Sequence, residues 1–272
     1  MDVNKNSYTF MFATIMVVVV AAILSFLAIK LKPFQASNVR LEKMQNIIYT
    51  IGVRDAEDPT SPISRDQAEE MYNKYIAEEL VVNTKGEIQE GVEAFAVDMA
   101  KELKKPMDQR NWPLYVAEKD GETYYILPLR GKGLWGPIWG YISIEDDLNT
   151  IFGASFDHKS ETPGLGAEIS TSEFSNQFEG KEILEDEDFV SVAVVKGEAS
   201  GDHEVDGISG GTITSVGVSD MLQECIGAYM AYFNKLDSKE SSNPTQALSQ
   251  EQEMEPASSE MAETKLDTVN AE

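Results

Sequence analysis

The sequence predicts an α+β protein: a single N-terminal transmembrane helix, then a domain with a mostly antiparallel sheet flanked by helices. Three observations carry this. Phe10 to Ile29 is an uncharged, proline-free run of twenty residues interrupted only by Thr14 and Ser25. Apolar residues recur at helical spacing before residue 81 and after residue 214, whereas between Leu114 and Val195 the period changes to that of strands.

At about 1.5 Å per residue, the Phe10–Ile29 run spans a hydrocarbon core of roughly 30 Å. It is longer than the apolar core of a cleaved signal peptide, and Lys30-Leu31-Lys32-Pro33 follows it instead of a small-residue cleavage site. An uncleaved anchor is therefore expected. Lys30, Lys32, Arg40 and Lys43 follow the span while only Lys5 and the terminal amine precede it, so positive-inside counting alone leaves the large domain in the cytoplasm.

Leu41, Met44, Ile47, Ile48 and Ile51 continue a helix over 38–51, closed by Gly52, and the Pro/Asp-rich stretch Asp55 to Ser61 is a connector. Ser64-Arg65-Asp66-Gln67 reads as a capping box, with Ala68, Met71, Tyr72, Tyr75, Ile76 and Leu80 at helical spacing after it. Leu114–Glu118, an Asp120-Gly121 turn and Glu122–Leu129 form a predicted hairpin. Further strands are expected at Pro137–Glu145, Asn149–Phe156 and Phe189–Val195. From Ser215 onward, Val218, Met221, Leu222, Cys225, Ala228, Tyr229 and Tyr232 mark one face of a closing helix, which puts Thr214 at or beside its N-cap. The resulting division is a short tail over 1–9, the transmembrane helix at 10–31, a helical membrane-proximal segment at 32–112, the main domain at 113–236 and a disordered acidic tail at 237–272.

The formal charge is −25, from 47 acidic and 22 basic residues, which argues against nucleic acid as a partner. The tail contributes nine acidic and two basic residues in a Ser/Gln/Glu/Ala-rich context with almost no aromatics. The remaining acidity reads as a solvated surface and not as a cation site. Cys225 is the only cysteine, so no disulfide forms within the chain, and the two histidines, His158 and His203, lie in separate loops without ligand-spaced companions. No metal site is expected.

Asp206-Gly207-Ile208-Ser209-Gly210-Gly211-Thr212-Ile213-Thr214 places small residues and hydroxyls immediately before a helix, where unpaired N–H groups and the helix dipole favour a phosphate. A plain turn with an N-cap produces the same local pattern. A nucleotide P-loop is excluded, because no Gly-Lys-Ser/Thr follows the glycines. Gly131-Lys132-Gly133-Leu134-Trp135-Gly136 matches G-x-G-x-x-G, yet Pro137 and a strand follow it where a dinucleotide site needs a helix. Glu161-Thr162-Pro163-Gly164-Leu165-Gly166 puts Pro and Gly at the centre of a type II turn.

The pattern Asp-x-x-Ser-Gly-x-Thr-x-Thr resembles the recognition sequence of bacterial flavin transferases, which esterify the final threonine, here Thr214, with the phosphate of FMN. Together with Glu161–Gly166 and Gly133–Gly136 it resembles the subunit designated C of the Na+-translocating NADH:quinone oxidoreductases, over roughly residues 1–236. One departure is Gly211, where the family usually has alanine. The resemblance implies an FMN-binding domain at 113–236, covalent FMN on Thr214, and Asp206, Ser209, Gly210 and Thr212 as the loop around it. It puts Glu161, Thr162, Gly164, Leu165 and Gly166 at the flavin, with Leu134 and Trp135 beside the ring; Trp135 read alone serves equally as a core aromatic.

The implied role is electron carriage without catalytic residues of its own, inside a sodium pump of six subunits that oxidises NADH and reduces ubiquinone at the bacterial inner membrane. A flavin transferase is the implied maturation partner. The short N-terminus is then cytoplasmic and the flavin domain periplasmic, opposite to the charge count. The alternatives are the flavin subunit designated G of the related ferredoxin:NAD+ oxidoreductase complex, and a non-redox membrane-anchored interaction module.

Overall fold

A computed structural model of the chain describes residues 6–240; residues 1–5 and the acidic tail beyond 240 lie outside the described residues. Helix α1 (Asn6–Tyr49) runs for 44 residues through the apolar run and the helix expected after it, with Pro33 inside. Proline removes one helical hydrogen bond and bends a helix without necessarily ending it. At 1.5 Å per residue, α1 is about 66 Å long, twice a hydrocarbon core. It is the one described helix long and apolar enough to cross a membrane. Its side chains, Tyr8 excepted, are exposed as far as Arg40 and become buried at Met44, Ile47 and Ile48, where α1 docks on the domain.

Helix α2 (Arg65–Tyr75) ends earlier than its apolar spacing predicts. Ile76 and Leu80 lie instead on strand β1 (Ile76–Val82), which pairs antiparallel with β2 (Trp112–Lys119), Leu80 opposite Leu114 and Val82 opposite Trp112. The β-branched Val81 and Val82 are fully buried only on the sheet, and that tertiary gain outweighs the local helical period. The expected helical segment 32–112 thus contributes a strand to the main sheet. The short helix α3 (Met99–Glu102) starts at Asp98, whose carboxylate accepts the Ala100 N–H.

Strands β3 (Glu122–Lys132), β4 (Pro137–Ile144) and β5 (Ile151–His158) complete an antiparallel sheet of order β1-β2-β3-β4-β5. Alternation sends Trp112, Leu114, Leu127, Leu129, Ile138 and Ile142 to one core. Tyr115, Ala117, Ile126 and Tyr141 point to the other, against α1 and α2. Both faces are covered, so the strands read as near-continuous apolar runs.

After the single turn α4 (Ser172–Ser175) come two small pairs: β6 (Leu184–Glu185) with β7 (Asp188–Phe189), and β8 (Ala193–Val195) with β9 (Glu204–Asp206). The strand expected over Phe189–Val195 is therefore split and stays outside the main sheet. Ser191, at φ 63°, interrupts it. The β8–β9 pair is parallel.

Helix α5 (Thr212–Gly227) crosses β3, and α6 (Met230–Glu240) follows a break at Ala228 and Tyr229 that divides the single helix expected there. Tyr229 sits at the break: fully buried, it donates its hydroxyl to the Pro113 carbonyl at 2.6 Å, tying the chain to β2 at that point. Close approach of α5 to the β3–β4 turn depends on Gly217, where a Cβ would lie 2.3 Å from the Lys132 carbonyl oxygen.

Candidate functional site

Strand β9 leads into a tight turn in which Gly211 N–H donates to Ile208 O at 2.9 Å and Gly210 takes φ 74°. Gly211 is the N-cap of α5, so Thr214 is its third helical residue and not the cap. The space an alanine methyl would use at Gly211 is filled: a Cβ there would lie 2.9 Å from the Ile208 γ-methyl. The departure at Gly211 is thus matched by the side chain facing it.

Thr214 is only 1% exposed. Its hydroxyl donates to Glu161 Oε2 at 2.7 Å. The other Glu161 oxygen accepts the Trp135 N–H at 2.8 Å, and Leu134 and Gly136 supply further backbone donors. Burial pushes the Glu161 carboxyl up, but the Thr214 hydroxyl and these backbone N–H groups outweigh it and hold the carboxyl below its ordinary value. Three motifs far apart in sequence therefore converge on one carboxylate.

The Thr162–Leu165 turn closes by a Leu165 N–H to Thr162 O bond of 3.1 Å with Gly164 at φ 75°, the type II geometry its Pro-Gly centre calls for. It leads into Gly166, which lies directly on the Thr214 hydroxyl: a Cβ at Gly166 would stand 2.5 Å from Thr214 Oγ1. Glu168 Oε1 accepts the Gly164 N–H at 2.8 Å and steadies the turn.

Trp135 is 66% exposed, which removes its reading as a core aromatic. Leu134, Leu165, Ile213 and Val216 are exposed as well. All five sit on loops or helix residues that adjoin Thr214, giving an apolar rim around a polar centre. Ile213 and Val216 went unnoticed in the sequence because they fall on the solvent side of the apolar stripe of α5. A cavity of about 370 Å³ opens beside Val216, lined also by Ser209, Gly210, Thr212, Lys196 and Gly197. The Asp206 carboxylate is engaged by another loop, accepting the Ala199 N–H at 2.6 Å. Thr162 is exposed on the turn.

This setting fits FMN. Only glycine backbone, at Gly166, lies over the hydroxyl, the first-turn N–H groups of α5 have no partner within the helix, and an exposed apolar rim suits a flat ring. Residues 133–227 match the FMN-binding domain family. Fold and site together define a membrane-anchored protein with an FMN-binding domain.

Relatives narrow this further, among them the subunit designated C of several Na(+)-translocating NADH-quinone reductases. That of Haemophilus ducreyi is 30% identical, over 85% of this chain and 96% of the relative. That of Pasteurella multocida is 31% identical, over 74% and 82%. The solved structure of the same subunit from Parabacteroides distasonis superposes with a TM-score of 0.67 at 46% identity, covering 74% of this chain and 96% of that one. The fold of NqrC from Shewanella oneidensis is shared at a TM-score of 0.61 and 24% identity, covering 73% of this chain and 98% of that one. The chain belongs to this family, the NqrC subunits of the Na(+)-translocating NADH-quinone reductases.

Proposed function

We propose that this chain is the FMN-carrying, electron-transferring subunit of a sodium-translocating NADH:quinone oxidoreductase, with FMN held through a phosphoester to Thr214. The observation that supports the attachment point is the junction at Thr214, a hydroxyl in the first turn of α5 that a buried carboxylate orients and a glycine covers. Bound there, FMN supplies the redox chemistry. The chain's own residues anchor and surround it. Thr214 makes attachment permanent, so a cofactor outside the cytoplasm is not lost to dilution. Ser209, Gly210 and Thr212 border the phosphate side, with Lys196 on the lining of the same cavity offering positive charge, while Trp135, Leu134, Leu165, Ile213 and Val216 present apolar surface to the ring. None of these is a catalytic base for NADH oxidation. NADH and ubiquinone chemistry belongs to the other members of a complex of six subunits, and a flavin transferase completes this one.

Family membership favours the sodium pump over the ferredoxin-linked complex, and a flavin-bearing role over a plain interaction module. The placement of the folded domain on the periplasmic side of the bacterial inner membrane, with the short N-terminus inside, belongs to the same proposal. So does the division into a tail at 1–9, an anchor at 10–31, a membrane-proximal segment at 32–112, an FMN domain at 113–236 and an acidic tail at 237–272. Intact and peptide mass spectrometry on the chain co-expressed with a flavin transferase tests the attachment. The expected gain is one FMN minus one water on the peptide containing Thr214; the same mass on Thr212 or Ser209 would overturn it.

A further inference from the structure

The buried pair at the start of α5 is more than a staple between two loops. We propose that Glu161 takes the proton of the Thr214 hydroxyl when that hydroxyl is phosphorylated by its flavin donor, so that the accepting chain carries its own general base. This rests on the reading that Thr214 is the attachment point.

A threonine hydroxyl is a weak nucleophile until a base removes its proton. Glu161 Oε2 already accepts that hydrogen at 2.7 Å, the distance a base needs. The carboxylate is held from the other side, by backbone N–H groups of Leu134, Trp135 and Gly136. Its aim therefore depends on the β3–β4 turn and not on the exposed Thr162–Leu165 turn. The two functions are separable: Gly166 and the turn before it must lift to admit a phosphorus atom to a hydroxyl that is 1% exposed, while the anchored carboxylate stays.

In this step the Thr214 Oγ1–P bond forms and the phosphoanhydride P–O bond of a flavin dinucleotide breaks. The nucleoside monophosphate leaves with that electron pair, and the hydroxyl proton passes to Glu161. An anhydride donor is required because a phosphate monoester has no comparable leaving group. Once protonated, Glu161 no longer places a second negative charge against the new phosphodiester.

The titratable groups on the surrounding segments are otherwise engaged or exposed. His158 Nδ1 accepts the Glu161 N–H at 3.2 Å, Glu168 accepts from Gly164, and Asp206 accepts from Ala199. Lys132 and Lys159 are exposed, and the first turn of α5 contains no acid.

The test uses the full chain in detergent, purified without flavin, with a purified flavin transferase and flavin adenine dinucleotide, reading added mass over time. Glu161→Gln should slow attachment at least about 100-fold at saturating donor, while it stays folded by circular dichroism and its KM for the donor stays near wild type. Glu161→Asp, which keeps a carboxylate, should exceed the Gln variant at least tenfold. Equal rates for wild type and a folded Gln variant, or for the Asp and Gln variants, would overturn the proposal. The wild type gives a reading that does not depend on the Gln variant folding: its rate should be flat between about pH 6 and 8, above the carboxylate range, and a tenfold rise per unit would hand the proton to another base. A wild-type chain never modified at Thr214 would instead sink the attachment reading itself.

Discussion

Thr214 and Glu161 are each buried polar groups whose presence is tolerable because each satisfies the other. Thr214→Ala removes one donor from a carboxylate that retains its backbone donors, so the expected cost is about 1–2 kcal/mol. The chain should stay folded by circular dichroism and carry no covalent flavin; retained covalent flavin would place the ester elsewhere. Glu161 also makes stability depend on acid. Its folded carboxyl lies below the ordinary value of 4.5, so its contribution is present above that value and is lost as pH falls through the lower folded one. Urea melts of wild type and Glu161→Gln on either side of that range should show the acid-dependent loss flattened in the variant.

At the scale of elements, α5 sets the site through one close approach. A methyl at Gly217 would meet backbone, the Lys132 carbonyl at 2.3 Å, where nothing flexible can yield. Gly217→Ala is therefore expected to lower stability by about 1–3 kcal/mol, read as a fall in melting temperature, and to reduce flavin attachment by shifting α5 against the β3–β4 turn. The base of α1 holds a different kind of tension. Lys43 donates to the Phe95 carbonyl at 2.8 Å and lies over the Phe95 ring, and its amine is lowered to about 8, chiefly by burial, with Glu79 opposing and Arg40 adding to the fall. A depressed lysine binds fewer protons folded than unfolded, so stability should rise as pH climbs from about 8 toward the ordinary 10.5, until the buried tyrosines of the same core begin to ionise in the unfolded chain. Lys43→Met should flatten that rise in denaturant melts at pH values on both sides of 8.

For the molecule as a whole, the question is which side of the membrane the domain occupies. Cys225 is the only cysteine, is buried and has its thiol pushed up to about 12 by burial, so the wild type should be silent to maleimides. Ser200→Cys, on an exposed loop, then reports orientation. Labelling of intact spheroplasts by a membrane-impermeant maleimide is expected for a periplasmic domain. Labelling only after lysis would restore the positive-inside answer that Lys30, Lys32, Arg40 and Lys43 give.

Periodicity and punctuation are local signals, and what rests on them was legible. The apolar run from Phe10 to Ile29, the strands from Leu114 to Phe156, the Pro-Gly turn after Thr162 and the helix beginning near Thr214 all follow from spacing. The edge strand Ile76–Val82 was not legible, because its residues keep a helical period until β2 offers them a ladder and a core. Nor could spacing divide Phe189 from Val195, or break the last helix at Tyr229, whose partner Pro113 lies far away in sequence. The same reason separates the two halves of the site. The sequence by itself determined which loops bear the glycines and hydroxyls. Only the tertiary structure decided that Glu161 would meet Thr214 from 53 residues away, that Trp135 would be exposed, and that Ile213 and Val216 would join its rim. Those outcomes depend on how α5 packs across β3, an arrangement fixed by the summed burial of both faces of the sheet, which no short window of residues encodes.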